Sequence, residues 1–483
     1  MRASRPFRAL VDLLLLLAVA GCEGAGGSTE REASRPALPG FSADTFSREG
    51  LISGASATEA GCRALPDGIW VDIGSRQECI RFVVGGAGQP ARTALVHFPG
   101  DPPEAAYSYV NGEARLDWVG EFYEHTPASR RLAAEALAGA MHDGPVFLIG
   151  RAGMHGSSGN HAQDRQTRDE MALMDGALTA LKRRYGFQDF ALSGFSSGGL
   201  IVANLLAHRD DIRCAVIASA PLDLALYYRQ PDGTIPNDFA VHRDNLEDPM
   251  QTVGTVRSRA TVFVIGDTRD RSVPHTSWAN WVAAARHHGI RVYNAETKGG
   301  DLPVHGPVRT YHLTGSRGLE AAHACASGKP PEQIRRALLA GQPILIPHGR
   351  RLSGDEIKAA FSGRQLSGIM WPQWGTRVTV SVLWTADGKR VQFHPAHPEH
   401  VMAADRWWVE GDRLCTSEDA CNAVLTDGRF LHVVTGQPPR FLMTFDAGHS
   451  GDQGGEQPGG GGGGGGPPPP PPPRAAPPAA RRG

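Results

Sequence analysis

A serine framed by glycines stands at Gly194-Phe195-Ser196-Ser197-Gly198-Gly199. A largely apolar run, Phe187 to Leu192, precedes it, and Leu200 to Ala207 follows. That order reads as strand, sharp turn, helix. A G-x-S-x-G turn in this setting is a nucleophile elbow, which lifts the serine oxygen above the end of a sheet. The glycines remove Cβ atoms that would keep helix from strand. The amide of Ser197, opening the helix, can then face an oxyanion developing beside Ser196.

A serine nucleophile needs a base and a group to orient that base. Ala260 to Ile265 reads as a buried strand ending in Gly266-Asp267-Thr268-Arg269-Asp270-Arg271-Ser272-Val273-Pro274. Asp270, four residues after Gly266, is the candidate acid, with Asp267 a competitor three residues before it. Ile290 to Ala295 reads as the next strand, and Gly299 to Pro307 as the loop after it. His305 in that loop is the candidate base; His312 competes, but Arg309 to Leu313 reads as the opening of a helix. The chain order nucleophile, acid, histidine is that of an elbow-type triad. The second oxyanion amide is expected after Ala94-Leu95-Val96, in His97-Phe98-Pro99-Gly100-Asp101. Proline has no N–H to give, which leaves Gly100 or Asp101.

From about Gly68 to Ala326 these residues make the chain resemble an α/β-hydrolase of the prolyl oligopeptidase or dienelactone hydrolase-like group. The resemblance implies a cofactor-free serine hydrolase acting on peptide or ester bonds, with Ser196, Asp270 and His305 as its triad. It does not separate peptidase from esterase.

The remaining elements suit that fold. Gly68 to Val84 alternates around Gly74-Ser75 as an opening antiparallel hairpin. Thr126-Pro127 opens a helix to Met141. Pro145 to Ile149 is a strand, and Thr167 to Tyr185 a helix with a Thr167/Glu170 capping box and a stop at Gly186. Cys214 to Ala218 is the strand after the elbow helix. Strands alternating with helices imply a doubly wound, mostly parallel sheet, the α/β class. On its rim lies Arg151-Ala152-Gly153-Met154-His155-Gly156-Ser157-Ser158-Gly159-Asn160-His161. Arg151 could clamp a substrate carboxylate, and His155 and His161 lack a recognisable third ligand, so no metal is expected.

The ends speak of targeting. Arg2, Arg5 and Arg8 precede an apolar Leu13 to Val19, too short to span a bilayer. Val19-Ala20-Gly21-Cys22 resembles a bacterial lipobox, with Cys22 the lipidated residue. The expected division is 1–22 signal, 23–57 tether, 58–328 hydrolase domain, 329–446 small β-rich domain and 447–483 disordered Gly/Pro-rich tail. Export permits disulfides. Of 7 Cys, six remain beyond Cys22. Proximity in the chain suggests Cys62 with Cys79 and Cys415 with Cys421, which leaves Cys214 and Cys325 for each other among the 15 pairings that six cysteines allow.

After Lys329 a capping box, Ser353 with Glu356, opens a short helix. The period then changes to two at Val378, Val380 and Val382, with turns at Asp387-Gly388, Glu410-Gly411-Asp412 and Asp427-Gly428. This is a β-meander, closed or curved, whose Trp371, Trp374, Trp384, Trp407 and Trp408 serve mainly as core. With Lys+Arg 49 against Asp+Glu 50 the chain lacks the basic excess of a nucleic-acid binder. The expectation is an exported, membrane-anchored serine hydrolase in the periplasm or at the cell surface, with a small ester or peptide substrate. The alternative is a non-catalytic binding lipoprotein on a hydrolase scaffold.

Overall fold

The computed structural model describes residues 43–448 apart from 89–90, 103–104, 112, 121–122, 142–143, 230–244, 271, 298–314, 372–378 and 418–420. The first part is built on strands β1 (Gly68–Asp72), β2 (Gln77–Gly85) and β3 (Thr93–Phe98). A hairpin of β4 (Ala106–Val110) and β5 (Glu113–Trp118) follows as its own two-stranded sheet. The main sheet resumes with β6 (Val146–Ile149), β7 (Asp189–Phe195), β8 (Ile212–Ala218), β9 (Thr261–Gly266) and β10 (Val292–Glu296). Its order is β1-β2-β6-β3-β7-β8-β9-β10. β1 and β2 run antiparallel, and β2 meets β6 antiparallel. From β6 onward every pairing is parallel. This mixed sheet with flanking helices fits an α/β-hydrolase-like fold.

Central parallel strands are covered on both faces, so their residues are apolar in unbroken runs rather than alternating. In β7 Phe190, Ala191 and Leu192 are all fully buried. One face carries α2 (Arg168–Tyr185), α3 (Ser197–His208) and α4 (His275–His287). The other carries α1 (Pro127–Met141) and α5 (Gly315–Ala326). α3 is buried along most of its length, as expected for the helix that follows the central strand. α2 starts at Thr167 and stops at Gly186, whose φ of 75° is the left-handed cap that glycine adopts without strain.

Pro331–Leu339 (α6) and Gly354–Phe361 (α7) lead into the second part. The expected capping box is present at α7, with both the Ser353 and the Glu356 halves formed. The strands are β11 (Arg350–Arg351), β12 (Arg364–Met370), β13 (Thr379–Trp384), β14 (Lys389–Phe393), β15 (Val401–Val409), β16 (Leu414–Thr416), β17 (Ala423–Thr426), β18 (Phe430–Thr435) and β19 (Arg440–Asp446). They form one antiparallel sheet in the order β11-β17-β18-β19-β12-β13-β14-β15-β16. Trp384 is fully buried, edge-on to Trp407 and Phe361, and Trp371 stacks on Phe441. Trp408 is exposed, and Trp374 lies outside the described residues.

The two sheets share no strand, yet they share apolar core. Ala136, Leu137, Ala140 and Met141 of α1 belong to one cluster with Ile369, Trp371, Phe430 and Phe441. At Gly139 a Cβ would come within 2.4 Å of the Phe430 ring, so the missing side chain is what seats the second sheet on α1. Three disulfides pair Cys62 with Cys79, Cys214 with Cys325 and Cys415 with Cys421. Among the described residues no helix is long and apolar enough to cross a membrane.

Candidate active site

Ser196 ends β7 and begins α3 with φ 53° and ψ −126°, a backbone conformation that a residue with a side chain adopts only under constraint. The turn is held from both sides. Ser196 N donates to Ala218 O at 2.9 Å, and Ser196 O accepts from Gly199 N at 2.8 Å. The glycines are there for contact. A Cβ on Gly194 would sit 2.2 Å from Gly198 O, one on Gly198 2.2 Å from Phe98 O, and one on Gly199 2.6 Å from the Ala220 Cβ. Helix, nucleophile strand and the β3 loop are thus drawn together at van der Waals limits, as the motif requires.

The loop expected to give the second amide lies against this turn. Phe98 pairs in register with Gly194, so Pro99-Gly100-Asp101 leaves the sheet beside Ser196. A Cβ on Gly100 would come 2.9 Å from the Ser196 Cβ and 3.1 Å from Phe195 O. Gly100 is therefore the residue that allows this loop and Ser196 to touch.

Asp270 emerges at the same sheet end. Phe195, Ala218 and Ile265 stand in register across β7, β8 and β9. The buried Asp270 carboxylate accepts Ser272 N at 2.8 Å and Val273 N at 3.1 Å through Oδ1. Its competitor Asp267 is engaged by Arg269, at 3.0 Å from Nε and 2.6 Å from the terminal nitrogen. That ion pair separates the two aspartates: Asp267 braces its own turn, while Asp270 is held by backbone N–H groups. His305 and its competitor His312 lie outside the described residues, as does Cys22.

Arg151 turns out to have another task than clamping a substrate. Its side chain is fully buried, gripped by Glu170 at 2.7 and 3.1 Å and by Asp101 at 2.8 Å. Arg165 reaches the other Asp101 oxygen at 3.0 Å and lies over the Tyr107 ring at 4.3 Å. Burial works against the Asp101 charge, but Arg165, Arg151 and His161 outweigh it and hold the carboxyl well below its ordinary range. A permanently charged network thus pins the loop that carries Gly100. It also explains a departure from the expected capping box at α2. Thr167 Oγ1 accepts from Glu170 N at 3.2 Å, but the Glu170 carboxylate turns to Arg151 and to Gln166 N.

His155 and His161 are buried in the same rim, and His161 Nε2 lies 3.4 Å from Asp101 Oδ1. The His155 ring stacks on Tyr123 at 5.1 Å, and the His155 backbone N–H donates to the Tyr123 hydroxyl at 3.0 Å. The sequence signal for this network was an arginine inside a glycine-rich loop at a strand end. The partners Asp101, Arg165 and Glu170 are too far apart in the chain to be linked by spacing.

No family model and no curated protein matches the chain. Solved structures similar to parts of it include an esterase of Pyrococcus furiosus, at 16% identity over 47% of this chain and 80% of that one, TM-score 0.32. An acylaminoacyl peptidase of Pyrococcus horikoshii is 13% identical over 49% of this chain and 37% of that one, TM-score 0.34. Est1E of Butyrivibrio proteoclasticus, with ferulic acid bound, is 12% identical over 56% of this chain and 99% of that one, TM-score 0.35. The fold assignment rests on strand order and turn geometry, not on these likenesses.

Proposed function

We propose that the protein is a serine hydrolase cleaving an ester or peptide bond through an acyl-enzyme. The observation that carries this reading is Ser196 itself: a serine in strained backbone, at the end of the central strand, with the Gly100 loop packed on it. Strain of this kind costs on the order of 1–3 kcal/mol and persists only where the surroundings enforce it. A structural linker has no need of it.

In the proposed reaction His305 takes the Ser196 proton as Oγ attacks the carbonyl carbon. The tetrahedral oxyanion is met by the N–H of Ser197 and that of Gly100 or Asp101. His305 then protonates the leaving group, and water repeats the sequence to free the acid. Asp270 holds the imidazole tautomer. The test is labelling with a fluorophosphonate probe. Wild type should label, and Ser196→Ala should lose both labelling and about 10⁶-fold in turnover. Undiminished labelling of Ser196→Ala would place the nucleophile elsewhere, and a His305→Ala enzyme of normal turnover would refute the base.

The same proposal makes the protein an exported lipoprotein held at the membrane by acyl chains on Cys22. Each buried methylene contributes about 0.8 kcal/mol, so more than one chain anchors firmly. Replacing Cys22→Ser should move the protein from the membrane fraction to the soluble one or trap its precursor. A wild-type protein found wholly in the soluble fraction would remove the anchor and leave the hydrolase reading intact.

A further inference from the structure

The second sheet gathers two histidines and an aspartate at one corner, far from the chemistry above in sequence and unused by it. His348, Asp427 and His432 each offer one donor atom, and all three donors lie within 4.8 Å of one another. Their placement is built by three separate pieces of chain.

His432 sits on β18 and is fully buried. Its Nδ1 bonds to Thr444 Oγ1 at 3.1 Å, across the register to β19. Thr444 Oγ1 also accepts the Trp371 Nε1 hydrogen at 2.9 Å. With Nδ1 turned to the threonine, Nε2 faces the corner and has no hydrogen-bond partner among the described residues. A buried nitrogen left in that state is costly. Asp427 Oδ2 lies 3.6 Å from it, beyond hydrogen-bond range.

Asp427 opens the turn between β17 and β18. Its Oδ1 accepts Arg429 N at 2.9 Å and Phe430 N at 2.7 Å, which leaves Oδ2 directed at His432. His348 arrives from the strap before β11, whose Arg350 pairs with Thr426. Between them Gly349 has φ +109°, and a Cβ there would come 2.6 Å from Thr426 O. Only glycine lets the strap pass this close and bring the His348 ring to 5.7 Å from that of His432.

We propose that His348, Asp427 and His432 form a binding site for a divalent transition metal, with Zn²⁺ the ion that suits the set. Two imidazole nitrogens and one carboxylate oxygen are the three-ligand pattern of an open zinc site, with a fourth position for water. The Nδ1 hydrogen bond to Thr444 is the outer-shell contact that fixes a ligating tautomer. Bonds of about 2.0–2.2 Å need donors about 3.3 Å apart, so the half-buried His348 closes onto the other two. The ion fastens the strap before β11 to the 427–430 turn and to β18. The sequence reading named no metal, because His348 stands some eighty residues from its partners.

The test uses the full chain, stripped with EDTA, dialysed, and titrated with ZnCl₂ by calorimetry; Co²⁺ replaces Zn²⁺ for a visible spectrum. One saturable site per chain is expected, with the intense absorption of tetrahedral Co²⁺. His348→Ala and Asp427→Asn should each weaken Zn²⁺ binding by about 100-fold or more, since losing even an outer-shell partner costs about 10–100-fold. Asparagine at 427 still accepts the two backbone N–H groups, so the turn survives that change. His432→Gln removes a fully buried group and is the less informative variant. Absence of saturable Zn²⁺ binding in the wild type would overturn the proposal. So would equal binding by His348→Ala and Asp427→Asn, which would mark adventitious uptake by other histidines of the chain.

Discussion

In the proposed reaction, Ser196 and Gly100 decide between them whether the elbow can face a carbonyl. The serine is held at φ 53°, and the glycine approaches so closely that its own Cβ would stand 2.9 Å from that of Ser196. A methyl group at 100 must push the loop away from the nucleophile by a sizeable fraction of an ångström. Displacements near 1 Å can cost about 10²-fold in rate. Gly100→Ala should therefore lower kcat by about that factor and change KM much less, because the oxyanion contact matters mostly in the transition state. Steady-state kinetics on a chromogenic ester checks it. Wild-type kcat in Gly100→Ala would remove the Gly100 loop from the proposed oxyanion hole.

At the scale of elements, the rim segment 151–161 and the N-terminus of α2 are welded by charge. Arg151 stands between Asp101 and Glu170 with no exposure to water. Removing one partner of a buried ion pair costs about 3–5 kcal/mol, because the remaining charge stays buried and uncompensated. Arg151→Ala should lower stability by about that amount in urea melts, and should loosen the Gly100 loop as well. A loss under 1 kcal/mol would mean the network is solvated.

The same rim carries an acid sensitivity. Burial pushes His155 well below its ordinary range, with Arg130 adding to it, and lowers His161 although Asp101 opposes the effect. Both histidines are therefore harder to protonate in the folded protein than in the unfolded chain. Below about pH 6.5 the unfolded chain then binds more protons, so folding stability falls as pH drops. Each group contributes up to about 1.4 kcal/mol per pH unit in that window. Urea midpoints at pH 7.5 and 5.5 should differ, and His155→Gln should flatten the difference. A midpoint unchanged between the two pH values would sink this account.

For the molecule as a whole, the two sheets are joined through α1. Phe430 seats on Gly139, Arg429 reaches Glu135 at 3.1 Å, and His397 contacts Glu124. Glu124 also holds Arg48 at 3.0 Å. The second sheet is thus packed on the face opposite the elbow helix, with apolar core continuous across the junction. The proposed metal site lies on this side too, one turn residue from Arg429.

The chain's own order of residues determined much of this. Glycine spacing around Ser196, apolar runs of strand length and caps at Thr167, Gly186 and Ser353 are local signals, and local backbone physics acts on them directly. The period-two stretch after 378 announced an antiparallel sheet for the same reason. The β4–β5 hairpin carries a signal of the same kind, since Glu113–Trp118 alternates polar with apolar residues and buries Ala114 and Leu116, although the strand-and-helix alternation that marks the main sheet does not call for it. Only tertiary structure decided the rest. Whether Arg151 meets substrate or buried carboxylates depends on Asp101 arriving from the end of β3 and Glu170 from the first turn of α2. Whether Glu170 caps α2 or pairs with Arg151 is a competition between a local hydrogen bond and a buried charge, and in a low-dielectric interior the charge wins. The corner of His348, Asp427 and His432 exists only because Gly349 lets a distant strap close on β17. Contacts of that range have no period in the sequence, since they are fixed by which strands pair.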